Sequence, residues 1–252
     1  MRLHVLGCYG GEAPGCHQIS LLVDGRLLID AGSVTAVLSL DAQARVDHVL
    51  ISHAHLDHVA ALAFMADNVL TVRRRPIEVW GPAPVIRPLK KHLFNGSIWP
   101  DFTKIPSGHP ILSFHKMRKG QSTKIGKYQV VAVGVHHAVD STAYLISDGK
   151  SSILFAGDSG PTENLWKAAN AAKRLRAIIV EASFPNRLHG LAKASGHFTP
   201  KTLREELKKL RVDVPVYVQH MKPQFISEIV AELAKLSDPP VTPLEQGKEY
   251  IF

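Results

Sequence analysis

Four side chains that can bind metal stand within six residues in the segment HAHLDH, which runs from His53 to His58. The apolar run at residues 46–52 predicts a buried strand before it, and the residues after it predict a helix. His53 and His55 are two positions apart, so on an extended chain their side chains point the same way and can bind one ion. Asp57 and His58 lie at the turn into the helix and can face a second ion. The segment therefore predicts a metal site at the end of a strand.

This segment cannot complete two coordination spheres alone, because a catalytic zinc-type site takes at least three protein ligands and a water. Further candidates follow other apolar strands. His136 and His137 follow the run that ends at Val135, Asp158 follows ILFAG, and His220 follows VYVQ. Their recurrence after apolar strands, as in HAHLDH, makes them candidates for the remaining ligands.

Strand-like apolar runs alternate with amphipathic helical runs in two similar halves. This order predicts an α/β fold with a core of strands and helices packed outside it. We expect helices over residues 34–40 and 83–94. With 252 residues, of which 45% are hydrophobic and 21% charged, the composition excludes a disordered, collagen-like or coiled-coil chain. Residues 1–252 are expected to form a single domain.

Several features bear on the compartment. No apolar run approaches the roughly 20 residues that a membrane span requires. The N-terminal residues predict a first strand rather than a secretory signal. Two cysteines, Cys8 and Cys16, are too few for a disulfide framework. We therefore expect a reduced, cytoplasmic protein with no membrane partner.

The net charge of +8 is concentrated in one segment. Residues 71–136 carry 12 basic and two acidic side chains, including Arg73, Arg74 and Arg75. Two interpretations stay open: a positive field that attracts an anionic substrate or a nucleic acid, and a solvated surface. Whether this basic segment also covers part of the active site is a further open question.

The combination of HAHLDH, a later His, FAGDSG and a last His resembles the metallo-β-lactamase superfamily. The resemblance implies an αββα sandwich, in which two central mixed β-sheets are flanked by helices and carry a two-metal site on their edge. It also implies a set of ligands: His53, His55 and His137 for the first ion, Asp57, His58 and His220 for the second, and Asp158 between them. We favour His137 over His136 because it precedes Tyr144 by seven residues, which is the spacing of the family.

Longer segments indicate one branch of this superfamily. Five segments resemble the class II cyclic-nucleotide phosphodiesterases: SHAHLDHVAALAFMADN, LLIDAGSVTAVL, EASFPN, SGHFTP and HMKP. This implies hydrolysis of 3′,5′-cyclic nucleotides to the 5′-monophosphate by a hydroxide that bridges two divalent ions, with cAMP as the expected substrate and the preference between cAMP and cGMP left open. Zn is the expected metal, with Mn and Fe as alternatives that suit nitrogen and oxygen ligands.

Two alternatives compete with this assignment. The transfer-RNA 3′-processing nucleases share several of these motifs, but they carry a long arm between the third His and the bridging Asp. Here only 21 positions separate His137 from Asp158, and one hairpin fills them. A non-catalytic nucleotide-binding protein is the alternative of another class, and it has no need of seven ligands. We therefore expect a small cyclic nucleotide as the partner rather than a nucleic acid. A homodimer, common among related proteins, stays open.

A mechanism follows as a hypothesis. Asp57 orients the hydroxide, His197 of SGHFTP donates a proton to the leaving 3′ oxygen, and Glu181 holds His197 in orientation. We expect Asp30 to fix the tautomer of a ligand histidine. Asn68 has two interpretations, a similar supporting part and a helix-end cap.

Overall fold

Two seven-stranded β-sheets form the centre of the protein, whose computed structural model describes residues 1–236 and 239–252. In spatial order, the first sheet contains β14 (Glu249–Ile251), β1 (Arg2–Gly7), β2 (Ser20–Val23), β3 (Leu27–Ile29), β4 (His48–Leu50), β5 (Ile77–Pro82) and β6 (Leu112–Met117). The second contains β13 (Val241–Pro243), β12 (Val216–Gln219), β11 (Leu175–Glu181), β10 (Ser152–Phe155), β9 (Ser141–Ser147), β8 (Tyr128–Val135) and β7 (Ser122–Ile125). Each sheet contains both parallel and antiparallel pairs, so the predicted mixed sheets are confirmed.

Helices cover the outer faces of both sheets. On the first sheet lie α1 (Val34–Val37), α2 (Leu40–Ala44), α3 (Leu56–Asn68) and α4 (Ala83–Pro88), which continues into a π-helical turn (Leu89–Leu93). On the second lie α5 (Glu163–Ala171), α7 (Pro200–Leu207) and α8 (Ile226–Leu233), while α6 (His189–Ser195) lies between α5 and α7 along the chain. The order helix, sheet, sheet, helix confirms the αββα sandwich. None of the helices in the described part of the chain is long and apolar enough to cross a membrane.

The space between the sheets is filled by fully buried apolar side chains. Leu21 and Ile29 enter it from the first sheet, and Tyr144 and Phe155 from the second. Each such side chain contributes on the order of 1.5–3 kcal/mol when it leaves water. The Tyr144 hydroxyl also donates a 2.6 Å hydrogen bond to the carbonyl of Ile51. This bond ties the second sheet to the backbone just before HAHLDH.

The single helix expected over residues 34–40 is wrong. The chain leaves the helical conformation at Leu38, and the Ser39 side chain accepts a hydrogen bond from the Ala42 amide at the start of α2. Serine is a strong N-cap, so it begins a second helix rather than continuing the first. The segment expected as one helix over residues 83–94 is helical to Leu93, but it changes from an α-helix to a π-helical turn after Pro88, which supplies no amide hydrogen to the helical ladder.

Arg73 in the basic segment is a structural residue. Its guanidinium is buried and donates to the carbonyls of Ala44, Val46 and Pro76. Arg73 is therefore neither free to attract an anion nor part of a solvated surface. Arg74, in contrast, is exposed.

Candidate metal centre

The predicted site residues lie in segments that follow the carboxyl ends of five strands, β4, β8, β10, β11 and β12. β10, β11 and β12 are parallel neighbours. β8 runs in the same direction, because it is antiparallel to β9 and β9 is antiparallel to β10. These strands therefore end at one edge of the second sheet, and side chains that follow them meet there.

Three imidazole nitrogens converge in a first group. Nδ1 of His55 lies 3.0 Å from Nε2 of His53 and 3.4 Å from Nε2 of His137. All three candidate ligand atoms lie within 4.8 Å of one another. His136, in contrast, is exposed, so the structure brings His137 into the cluster and leaves its neighbour outside.

A second group lies beside the first. Nε2 of His220 lies 3.3 Å from Nε2 of His58 and 3.3 Å from Oδ2 of Asp57. Burial alone would raise the pKa of Asp57, but the neighbouring imidazoles of His220 and His58 keep that pKa well below its usual range. Asp57 is therefore a carboxylate at neutral pH, as a ligand or a hydrogen-bond acceptor must be.

The carboxylate of Asp158 lies between the two groups. Its Oδ2 is 3.0 Å from Nε2 of His220 and 3.8 Å from Nε2 of His53, and its Oδ1 is 3.4 Å from Nε2 of His58. Oδ1 is buried and has no hydrogen-bond partner in residues 1–236 and 239–252. A buried, unsatisfied carboxylate oxygen is costly, and a cation removes that cost. The donor set of imidazoles and carboxylates thus fits divalent metal ions.

The protonation of the histidines fits the same conclusion. Burial lowers the pKa of His53 well below its usual value, so this ring is neutral and can offer a lone pair. Burial also acts on His58, but the Asp158 and Asp30 carboxylates outweigh it and raise the pKa of His58. These carboxylates draw a positive charge to the position, either a proton on His58 or a metal cation.

Asp30 and Ser52 bind the Nδ1 atoms of His58 and His53, which point away from the cluster. Asp30 Oδ2 lies 2.8 Å from Nδ1 of His58, so the expected contact of Asp30 with a candidate ligand is present. The Ser52 hydroxyl donates to Asp30 at 2.7 Å, and it therefore accepts from Nδ1 of His53 at 3.1 Å. With a proton on Nδ1, each ring turns the lone pair of Nε2 toward the cluster.

Glu181 and Ser183 form a matching pair on the other side. The Ser183 hydroxyl donates to Oε2 of Glu181 at 2.8 Å and accepts from Nδ1 of His220 at 2.8 Å. Glu181 Oε1 accepts from Nδ1 of His197 at 2.7 Å, which is the contact expected for this pair. Burial lowers the pKa of His197, but the Glu181 carboxylate more than compensates and raises it.

Sequence reasoning missed Ser52 and Ser183. Both stand in quoted motifs, and Ser183 lies two positions beyond Glu181, where side chains of an extended segment share a face. That spacing is the signal that could have identified it. The interpretation of Asn68 as a residue that supports a ligand histidine is wrong. Asn68 lies at the end of α3 that is far from the cluster, and its side chain donates a hydrogen bond to Gln43 of α2.

Comparison with solved structures identifies the fold. The chain superposes on unliganded yeast PDE1 with a TM-score of 0.82 at 20% identity, over 98% of each chain. A metallo-beta-lactamase fold protein of Bacillus subtilis, YhfI, gives 0.78 at 18% identity over 99% of each chain. Human tRNase Z, short form, gives 0.73 at 17% identity over 100% of this chain and 99% of that one. These likenesses show that the chain has the metallo-β-lactamase fold.

Sequence comparison identifies the family. The model of the class-II cAMP phosphodiesterases matches residues 35–247, and the chain belongs to this family. A probable 3′,5′-cyclic-nucleotide phosphodiesterase of Yersinia pestis is 29% identical over 71% of this chain and 58% of its own length. A 3′,5′-cyclic-nucleotide phosphodiesterase of Saccharomyces cerevisiae is 30% identical over 64% of this chain and 49% of its own. The chain thus spans about half to three fifths of the length of these relatives.

Proposed function

We propose that this protein hydrolyses 3′,5′-cyclic nucleotides, cAMP among them, to the 5′-monophosphate with two divalent ions, most suitably Zn. One observation carries the proposal: two groups of ligands converge on either side of the Asp158 carboxylate, one oxygen of which is buried without a partner among the described residues. Family membership and the names of the relatives support the reaction and the substrate.

The ligand assignment is part of the proposal. His53, His55 and His137 would hold the first ion, Asp57, His58 and His220 would hold the second, and Asp158 would serve both. Such a pair of ions generates a nucleophile from water at neutral pH and neutralises charge on the phosphoryl oxygens. The set contains nitrogen and oxygen donors and no thiolate, which also suits Mn and Fe.

Two side chains of the cluster handle protons and orientation. Asp57 accepts a hydrogen bond from the attacking water and aligns it with the phosphorus atom. His197 uses its Nδ1 proton to bind Glu181, so the proton on Nε2 is the one free to reach the leaving 3′ oxygen. The raised pKa of His197 increases the protonated fraction that can act as this acid.

The role of His197 is tested by changing the leaving group. We expect His197→Ala to lower kcat for cAMP by about 10²- to 10⁴-fold, the usual contribution of a general acid. Methyl p-nitrophenyl phosphate should lose far less, because nitrophenolate leaves without a proton. Steady-state kinetics with both substrates, together with metal analysis, measures this. Equal losses on the two substrates, or loss of the metal, would contradict the role as proton donor.

A ribonuclease of the transfer-RNA-processing type is the competing function. Relatives named ribonuclease Z include one of Methanococcus aeolicus, which is 23% identical over 74% of this chain. The residues between His137 and Asp158 form only β9, a turn and β10. They contain no arm that could grip a transfer RNA, which favours the small substrate. Assays of precursor tRNA and cAMP with the same preparation would separate the two functions.

A further inference from the structure

Two clefts open beside the metal cluster, and His136 lines both. The first cleft has a volume of about 700 Å³ and is lined by His55, His137, Pro84 of α4 and Asp140. The second cleft has a volume of about 430 Å³ and lies between His136 and helix α6. Either is large enough to take a nucleoside, so volume alone does not decide which one receives the substrate.

The position of the proton donor distinguishes the clefts. His197 lines the second cleft and is absent from the residues that line the first in the described part of the chain. In a 3′,5′-cyclic phosphate, the leaving 3′ oxygen belongs to the same ribose that carries the base. The ribose and base must therefore lie on the side of the acid that protonates this oxygen, while the nucleophile attacks from the opposite side.

The chemistry of the second cleft suits a nucleoside. Its lining is mostly apolar and includes the imidazole rings of His136 and His189 and the ring of Pro161. The two planar imidazoles can stack on the face of a base, and the saturated ring of Pro161 offers apolar packing. Lys193 on α6 is exposed and adds one cationic donor to the lining, which can bind an acceptor atom of the base.

We propose that the nucleoside of the substrate occupies the second cleft, with its base against the imidazoles of His136 and His189. The inference rests on the proposed function and adds the place where the substrate is recognised. The first cleft then serves as the open side through which water reaches the cluster. His136, which is not part of the cluster, acquires a role in specificity.

The test compares a substrate that has a nucleoside with one that has none. We expect the double variant His136→Ala/His189→Ala to raise the KM for cAMP at least about fivefold relative to that for methyl p-nitrophenyl phosphate, because stacking on one base is worth about 1–3 kcal/mol. Both histidines are exposed, so the fold should tolerate the change. The matched control is Val139→Ala/Asp140→Asn in the first cleft, which should leave the KM for cAMP at the wild-type value.

The possible results separate the two proposals. A raised KM for cAMP in the control pair, with no change in the histidine pair, would overturn the placement of the nucleoside but leave the phosphodiesterase function intact. An unchanged ratio of the two KM values in the histidine pair would overturn the placement as well. A wild-type protein that hydrolyses methyl p-nitrophenyl phosphate but not cAMP would overturn the proposed function itself.

Discussion

Two residues of the site have a backbone conformation that residues other than glycine rarely adopt. Asp30 has a φ of 55° and His220 a φ of 61°, both in the left-handed region. Such a conformation costs on the order of 1–2 kcal/mol for a residue with a Cβ atom. Strain of this kind is common at functional sites, where the surrounding structure enforces it. Here the His220 amide donates to the carbonyl of Cys8 at 2.7 Å, and Ser183 fixes the ring.

Ser183 is therefore expected to act through His220. We expect Ser183→Ala to weaken metal binding by about 10- to 100-fold, the usual effect of removing a group that orients a ligand histidine. The matched control is Ser159→Ala, because Ser159 is also buried beside the cluster but its hydroxyl has no partner among the described residues. Titration with a competing chelator measures the affinity. Equal weakening in both variants would contradict the role of Ser183.

At the residue scale, the sequence predicted the contacts of Asp30 with a histidine and of Glu181 with His197. It did not predict Ser52 and Ser183, because serines are common in turns, so the two-position spacing between Glu181 and Ser183 does not by itself mark a site residue. Their role depends on the direction in which each hydroxyl donates, and this is set by tertiary contacts with Asp30 and Glu181.

At the scale of elements, the loop after β1 is packed against His220. A Cβ atom on Gly10 would lie 2.5 Å from Nδ1 of His220 and 2.5 Å from its carbonyl oxygen. The Gly10 amide also donates to the carbonyl of Met221. Only a glycine allows the loop to come this close, so the loop and the segment after β12 position the ligand together.

This packing gives a prediction for the loop. We expect Gly10→Ala to displace His220 and to lower both the metal content and the activity by at least about tenfold, as for other changes that disturb a ligand. Gly11→Ala is the matched control, since its Cβ atom would lie 3.4 Å from Pro223, an ordinary contact. Metal analysis and a cAMP assay of the purified variants measure the effect. A fully metallated, active Gly10→Ala protein would contradict the account of this loop.

The long periodic elements could be predicted from sequence, and the short edge elements could not. The helix after HAHLDH and the strands before Asp158 and His220 carry clear apolar patterns. Strands β7 and β13 are short edge strands with few buried residues, and α6 is exposed on most of its surface. Their conformation depends on neighbours distant in sequence, which a local pattern does not contain.

At the scale of the whole molecule, a polar contact joins the two sheets at one end. Asp24, in the turn between β2 and β3, accepts a 2.7 Å hydrogen bond from the Tyr128 hydroxyl of β8. Lys127 lies 2.8 Å from the same carboxylate. Burial alone would raise the pKa of Asp24, but hydrogen bonds from Lys127, the Arg2 amide and Tyr128 lower it to about 2. The charged carboxylate therefore stabilises the folded state.

The sign of the pH dependence follows from this shift. Because the folded-state pKa of Asp24 lies below its unfolded value, the stabilisation is fully present above about pH 4 and is lost as the pH falls toward 2. We expect Asp24→Asn, which tolerates the positive φ of this turn, to lower the free energy of unfolding at pH 7. Urea unfolding at several pH values should show this difference shrinking between pH 4 and 2.

Asp67→Asn is the control variant for Asp24→Asn. Asp67 is exposed on α3 and has no ion pair among the described residues, so Asp67→Asn should change the stability little at any pH. A stability difference between wild type and Asp24→Asn that stays constant from pH 7 to pH 2 would contradict the contribution of the ionised carboxylate.

We propose that this cluster holds two ions and hydrolyses a cyclic nucleotide. The most direct measurement is the hydrolysis of cAMP by the purified protein, before and after chelation, with the products separated by chromatography and the metal quantified. We predict 5′-AMP as the product, its loss on chelation, and its recovery when Zn or Mn is added. Protein that retains about two ions per chain, as a two-metal site requires, but leaves cAMP intact would contradict the account.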